Sequence, residues 1–315
     1  MRVLLVDADS KKGFPNLALM KISAHHKRLG REVDLIRGIP DTAPLEHYDQ
    51  VWLSCIYFQN EDKARDYLAQ FPEQTDTLFG GSGFQEVMNI RLGKEIEHLM
   101  PDYSLYDVDF SMGFTSRGCI RDCPWCIVPE KEGKIKNHAP ISEFLHPDHK
   151  RLVLLDNNFL ASPKYIQNLE EIIERKIKVN MNQGLDIRLV TEENAGLLVD
   201  AKLYDWHFKT RGMHFAFDTM SIESAVRRGI KTLQDAGMPT HWMMFYVLAG
   251  FNTTFGQDVY RVQTLIELGV KPYIMPYNNT RDAKVRHLAR WVNRKYYEFV
   301  PFEKYKDGVL MEVAP

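Results

Sequence analysis

Short apolar runs alternate with amphipathic segments along the chain, and this alternation predicts its secondary structure. Four apolar runs typical of buried parallel strands lie at residues 2–6, 33–36, 51–57 and 77–79. Segments 16–29 and 61–71 between them have helical periodicity, and the fourth run enters the turn Gly80-Gly81-Ser82-Gly83. A strand that enters a glycine-rich turn in this context predicts a Rossmann-like, doubly wound domain over residues 1–84.

A second series of strands and helices follows residues 85–110, whose weak periodicity we interpret as a linker. Its six short apolar runs lie at residues 111–115, 152–155, 179–181, 214–217, 242–248 and 273–275. They recur at intervals of about one βαβ unit. Six strands are two fewer than a complete TIM barrel has, so we predict an open (βα)6 partial TIM barrel over residues 111–276. Residues 277–315 are predicted to add a short helical C-terminal tail to this α/β chain.

Composition and charge narrow the functional classes. Hydrophobic residues make up 44% and charged residues 26% of the 315 residues, which excludes bulk disorder. The 40 Lys and Arg residues nearly balance the 42 Asp and Glu residues, so net charge does not indicate nucleic-acid binding, although a local basic patch is compatible with it. The first apolar run is too short for a signal peptide, and no run approaches the about 20 residues of a membrane span. We therefore expect a cytoplasmic protein.

The cysteines carry the most specific signal. Three of the four, Cys119, Cys123 and Cys126, lie in the sequence CIRDCPWC directly after the first strand of the second series. Soft thiolates at this spacing suit three irons of a [4Fe–4S] cluster, and they leave the fourth iron open to bind another molecule. The alternative is a structural zinc ion with His138 as fourth ligand, although zinc sites usually combine two separated pairs of ligands.

The C-x3-C-x-aromatic-C pattern, with Trp125 as the aromatic residue, resembles the radical S-adenosylmethionine (SAM) superfamily over residues 111–276. The resemblance implies one [4Fe–4S] cluster whose open iron binds SAM. Reductive cleavage of SAM then gives a 5′-deoxyadenosyl radical that acts on an unknown substrate, as an oxidoreductase or a transferase. Cys55 alone cannot build a second cluster, so the resemblance also implies an external electron donor of the flavodoxin or ferredoxin type.

The same resemblance implies that SAM contacts residues at the strand ends and in the cysteine loop. These candidates are Trp125, Asp156, Asn157, Asn158, Asn182, Asp186, Arg188, Asp218, Gly250 and Tyr277. The usual Gly-Gly-Glu turn after the second strand is absent, and Asp156-Asn157-Asn158 stands in its place. For Asp186 and Arg188 the alternative is ordinary capping of a loop.

The N-terminal domain resembles the cobalamin-binding domain of one subgroup of that superfamily. Ser54 and the pair Gly80-Gly81 match its Ser and Gly-Gly elements, and they are candidate cofactor contacts. The D-x-H-x-x-G element is missing because residues 7–13 contain no His. A cobalamin-dependent radical SAM methyltransferase is therefore an alternative function, with cobalamin as an alternative cofactor. Lys11 and Lys12 would meet a phosphate rather than a metal.

A third function of another class is suggested by the C-terminal tail. It combines aromatic residues with a run of basic ones, namely Arg281, Lys284, Arg286, Arg290, Trp291, Arg294, Lys295, Tyr296 and Tyr297. Such a pattern fits stacking on bases together with phosphate contacts, so the chain could be a non-catalytic iron–sulfur or zinc protein that binds RNA. The pattern equally fits an amphipathic helix with a solvated basic face.

Overall fold

The computed structural model describes residues 1–9 and 14–306. The chain divides into two compact units, Met1–Asn157 and Asn158–Pro315. Parallel strands alternate with helices in both units, which confirms the α/β class. Lys11, Lys12 and the last nine residues of the predicted tail lie outside the described residues. The predicted domain boundaries themselves stay a prediction.

The first unit has four strands in one parallel sheet, in the order β2-β1-β3-β4. Its elements in chain order are β1 (Arg2–Asp7), α1 (Leu17–Arg28), β2 (Glu32–Arg37), β3 (Gln50–Ser54), α2 (Glu61–Leu68), β4 (Asp76–Gly80), α3 (Lys94–Glu97), β5 (Ser111–Gly113), β6 (Ser116–Arg117), α4 (Val128–Lys131), β7 (Lys136–Asn137) and β8 (Arg151–Leu154). Strand β5 pairs with β8 in parallel, and β6 pairs with β7 in antiparallel register.

Helices cover both faces of the four-stranded sheet because successive side chains of a strand point to opposite faces. On one face Val3 and Leu5 of β1 pack in a buried cluster with Leu19 of α1. On the other face Leu4 of β1 packs in a second buried cluster with Tyr67 of α2. The continuous apolar run of β1 is thus explained by burial on both sides.

The second unit carries the remaining strands and most of the long helices. Its elements are α5 (Tyr165–Glu174), β9 (Lys178–Met181), α6 (Glu192–Asp200), β10 (Lys202–Leu203), β11 (Met213–Ala216), α7 (Glu223–Asp235), β12 (Met243–Ala249), α8 (Phe255–Glu267), β13 (Lys271–Pro276) and α9 (Ala283–Asn293). Strand β9 pairs in parallel with β10, and β11, β12 and β13 form a parallel sheet. All six strands predicted for the second series are found, each within two residues of its predicted ends. Their closure into a partial barrel stays a prediction.

Local capping explains where several helices begin. Thr254 and Gln257 form a capping box at the start of α8, because each donates its backbone N–H to the other's side chain, at 2.9 and 3.3 Å. Thr191 and Asn194 form a second capping box at the start of α6. Within residues 1–9 and 14–306, no helix is long and apolar enough to cross a membrane.

Candidate functional site

The cysteine loop is closed at its base by the chain on either side of it. Ser116 and Arg117 of β6 pair with Asn137 and Lys136 of β7, and the backbone N–H of Cys119 donates to Gly133 at 3.1 Å. Gly118 makes this approach possible: its φ is +81°, and a Cβ there would lie 2.4 Å from the Lys134 carbonyl oxygen. Only glycine fits this position, which fixes where the loop begins.

The three thiols of the loop fit a cluster. None is in a disulfide; Cys119 and Cys123 are half-buried and Cys126 is exposed. Backbone amides point at two of the sulfurs, Arg121 N at 3.3 Å from Cys119 Sγ and Val128 N at 3.5 Å from Cys126 Sγ. Such hydrogen bonds stabilise thiolate ligands and tune iron–sulfur clusters.

The zinc alternative fits less well. Over the described part of the chain, no three His, Cys, Asp or Glu side chains converge as ligands of a single ion. A [4Fe–4S] cube takes its cysteines on different irons, so its ligands need not converge on one point. His138, the proposed fourth zinc ligand, instead lies with Nε2 3.1 Å from Glu97 Oε1.

Charged side chains brace the base of the loop. Arg117 binds Glu132 through two hydrogen bonds of 2.6 and 2.7 Å, and both side chains are largely buried. Arg117 Nη1 also lies 3.8 Å from Glu97 Oε1, and Lys21 Nζ of α1 lies 3.5 Å from the same oxygen. Burial opposes ionisation of Glu97, but the hydrogen bond of His138 and the charges of Lys21 and Arg117 lower its pKa to about 2.

Asp156 supports the loop from the end of β8. Its carboxylate is 2% exposed and accepts four hydrogen bonds, from the N–H and the hydroxyl of Thr115 (3.0 and 2.6 Å) and of Ser116 (both 2.6 Å). Burial raises the pKa of Asp156, and these hydrogen bonds oppose the rise. The residue predicted to contact SAM therefore directs both oxygens at the segment that leads into Cys119.

The next residue offers an open contact. Asn157 Nδ2 is buried and has no hydrogen-bond acceptor among the described residues. Buried polar atoms are usually paired, so this amide is available to an acceptor from a bound molecule or a water. Trp125 lies half-buried in the cysteine loop of the same unit.

In the second unit, three of the predicted residues are brought together beyond β9. Arg188 binds Asp186 through two hydrogen bonds of 2.6 and 3.0 Å, and Asn158 Nδ2 donates to Asp186 at 3.4 Å. Asp186 also accepts from the Arg188 backbone N–H at 3.2 Å, so it caps the turn as the alternative interpretation expected. Asn182, at the start of the same turn, is half-buried.

The other predicted strand ends are held by a buried ion pair on α8. Arg261 is fully buried and donates to the carbonyl oxygens of Phe217 (2.6 Å) and Leu248 (2.8 Å), at the ends of β11 and β12. Its partner Asp258, at 2.5 Å, accepts from the N–H of Gly250 at 3.1 Å. This frame fixes Gly250, whose φ of +81° suits glycine alone.

Two further predicted residues lie beside this frame. Asp218 accepts a hydrogen bond of 3.0 Å from the N–H of Leu248, and burial raises its pKa while that hydrogen bond lowers it. The ring of Tyr277 packs against Phe251 at 4.6 Å. Asp258 and Arg261 were not among the predicted site residues, although their i,i+3 spacing on an amphipathic helix is a local signal for an ion pair.

The N-terminal candidates are engaged by the chain itself. Ser54 Oγ accepts a hydrogen bond of 2.8 Å from Asn16 Nδ2. A Cβ on Gly81, whose φ is +110°, would lie 2.1 Å from the carbonyl oxygen of Cys55. Only Gly80 faces open space, with nothing within 4 Å of a Cβ built there. Ser54 and Gly81 are thus held by Asn16 and Cys55, and their contact with a cofactor stays a prediction.

No protein-family model matches the chain, and no curated protein matches its sequence. In fold, the chain is similar to the radical S-adenosylmethionine methyltransferase TsrM from Kitasatospora setae, whose structure holds a tryptophan substrate and the SAM analogue aza-SAM. The TM-score is 0.61 over 87% of this chain and 72% of TsrM, at 14% sequence identity. At that identity the likeness concerns the fold, so the chain has a fold that a radical SAM methyltransferase also has.

Proposed function

We propose that the chain is a radical SAM enzyme with one [4Fe–4S] cluster on Cys119, Cys123 and Cys126. The observation that carries the proposal is the loop CIRDCPWC, with amides directed at its sulfurs, in a chain whose fold is similar to TsrM. A fold alone does not fix the chemistry, and a cysteine motif alone does not fix the fold. The two together favour this superfamily over a non-catalytic protein that binds zinc or RNA.

When bound, the cluster would supply the electron that cleaves SAM. The chain's own residues hold the cysteines in place: Gly118 allows the loop to close, Arg117 and Glu132 brace its base, and Asp156 fixes the approach from β6. The electron would come from a flavodoxin- or ferredoxin-type donor. Cys55 is buried, which raises the pKa of its thiol to about 11, so it suits a structural role and not a ligand's.

For SAM, we propose candidate contacts within each unit, taken separately. In the first unit, the orphan amide of Asn157 suits a carboxylate or ribose oxygen. In the second unit, the Asp186–Arg188 pair, Asp218 and the strand end at Gly250 would offer the polar contacts. The side chain of Asp156 would act as a positioning residue because its oxygens already accept four hydrogen bonds.

The test is anaerobic reconstitution with iron and sulfide, followed by reduction in the presence of SAM. We expect about one [4Fe–4S] cluster per chain, with 5′-deoxyadenosine and methionine as products. Cys119→Ala, Cys123→Ala and Cys126→Ala should each lose the cluster, whereas the matched control Cys55→Ala should keep it. Stoichiometric zinc without iron in the reconstituted protein would contradict the proposal.

Methyl transfer is a second candidate, because the similar structure TsrM is a methyltransferase. Whether cobalamin takes part is testable by adding hydroxocobalamin to the protein, desalting it and recording the absorption spectrum. Gly80→Val is the variant of choice, since Gly80 faces open space while Gly81 packs against Cys55. If the wild type retains one cobalamin per chain and Gly80→Val abolishes the retention, cobalamin-dependent methyl transfer is supported. If the wild type retains no cobalamin, radical chemistry without cobalamin is left.

A further inference from the structure

Helix α9 and the two residues after it, Arg294 and Lys295, expose basic side chains to solvent. Between residues 284 and 295 the chain has five Lys or Arg residues and no Asp or Glu. All five side chains are exposed: Lys284, Arg286, Arg290, Arg294 and Lys295. We call this set the α9 basic face. It stands out in a chain whose 40 basic residues are nearly balanced by 42 acidic ones.

Helices α5 and α7 pair basic residues with acidic ones. On α7, Arg227 lies 2.8 Å from Glu223 and Lys231 lies 2.9 Å from Asp235, each four residues apart. On α5, Arg175 pairs with Glu171 in the same way. Among the described residues, no carboxylate lies within ion-pair distance of Lys284, Arg286, Arg294 or Lys295.

The spacing within the α9 basic face has an energetic consequence. Arg286, Arg290 and Arg294 follow one another at intervals of four residues, so they lie on one side of the helix, about 6 Å apart along its axis. Like charges at i,i+4 destabilise an isolated helix by a few tenths of a kcal/mol per pair. A row of arginines, each with one positive charge, suits a polymer that carries one negative charge per repeating unit.

The buried side of α9 distinguishes between two kinds of polyanion, a membrane surface and a nucleic acid. Helices that lie on membranes expose an apolar face to the lipid. Here the apolar residues Val285, Leu288, Trp291 and Val292 are all buried, and Trp291 Nε1 donates to the carbonyl oxygen of Val300 at 2.8 Å. No apolar face of α9 is left for lipid. Trp291 is equally unable to stack on a base, so its predicted stacking role does not fit the structure.

We propose that the α9 basic face binds the phosphate backbone of a nucleic acid. Three of its five residues are arginines, whose planar guanidinium binds phosphate through two parallel hydrogen bonds. The contacts would position a strand without reading its sequence, since base recognition needs base-edge contacts that this face does not provide. The proposal is independent of the proposed SAM chemistry, because binding is measured without cluster, SAM or turnover.

The experiment measures fluorescence anisotropy of a labelled single-stranded RNA of about 20 nucleotides with the full-length protein over a series of salt concentrations. The test variant is K284Q/R286Q/R294Q/K295Q. The matched control, R227Q/R228Q/K231Q/K202Q, removes the same charge from exposed residues of the same unit. Circular dichroism and size-exclusion chromatography verify that both variants are folded.

We expect the test variant to bind RNA on the order of 100-fold more weakly near 0.1 M salt, with a salt slope about three units smaller. The control variant should bind like the wild type. If the test variant does not fold, R286Q/R294Q serves instead, and the loss of two charges should lower the salt slope by about 1.4 units. Equal loss in test and control variants, or equally tight binding of a polyglutamate of matched charge, would overturn the proposal.

Discussion

The glycine turn after β4 and the cysteine loop after β6 both depend on a glycine with positive φ, but the two glycines have different consequences. At Gly81 a positive φ lets the turn pack onto the backbone of Cys55, whose thiol is buried. At Gly118 a positive φ lets β6 approach Lys134, and the cysteines that follow stay partly exposed with amides directed at their sulfurs. Glycine therefore marks close backbone approach, and whether a site results depends on which side chains the approach leaves open.

Replacing these glycines with alanine should give the largest difference between the cysteine loop and the glycine turn. Gly118→Ala combines a disfavoured φ with a clash against the Lys134 carbonyl, so we expect a loss of about 3 kcal/mol or more of unfolding free energy and of most of the iron that the proposed cluster would hold. Gly81→Ala should also destabilise the protein but leave iron per folded chain unchanged. Gly80→Ala, which meets nothing within 4 Å, is the control. Urea unfolding and iron per monomer after size exclusion are the measurements; equal iron in Gly118→Ala and wild type would contradict the comparison.

Removing the charge of Glu97 at the base of the cysteine loop should give the next largest effect on the free energy of unfolding. Because the folded-state pKa of Glu97 is about 2, below that of an unfolded glutamate, its carboxylate stabilises the fold above about pH 4.5 and this stability is lost as pH falls toward 2. Glu97→Gln should therefore cost roughly 2–3 kcal/mol at pH 7. The difference from wild type should shrink between pH 4.5 and 3 in urea unfolding curves. A difference that is constant with pH would mean that Glu97 acts through packing alone.

The N-terminal sheet allows a smaller and purely structural test. Tyr106 donates its hydroxyl to the buried Asp7 carboxylate at 2.7 Å. Tyr106→Phe removes that donor, and we expect a loss of about 1–2 kcal/mol in unfolding free energy with no change in iron content. Loss of iron in this variant would contradict the prediction, because it would show that iron binding by the cysteine loop depends on the N-terminal sheet.

Hydrophobic periodicity predicted the strands well, because burial on one or both faces of a strand determines which of its positions are apolar. The runs of β1 and β12 illustrate this, since alternate or all positions of each are fully buried. The segment 85–110 shows the opposite case. It has weak periodicity, yet it contributes Ile96, Tyr103 and Tyr106 to the buried interior of the first unit. Each residue there is buried singly, so no repeating pattern marks it.

The site was predictable only where its chemistry is local in sequence. The cysteine motif spans eight residues and was therefore visible directly in the sequence. The role of Asp156 was not visible, because its partners Thr115 and Ser116 lie about 40 residues earlier in the chain. The strand pairing of β5 with β8 brings these residues together, and no local pattern encodes that pairing.

Arg261 has a consequence for how the protein can change over evolutionary time. It holds the ends of β11 and β12 by their carbonyl oxygens, so the side chains at those ends are not needed for their own placement. Substitutions there would change the side chains that the strand ends present while leaving the spatial arrangement of those ends intact. One buried arginine and its aspartate thus separate the placement of the strand ends from the identity of the side chains on them.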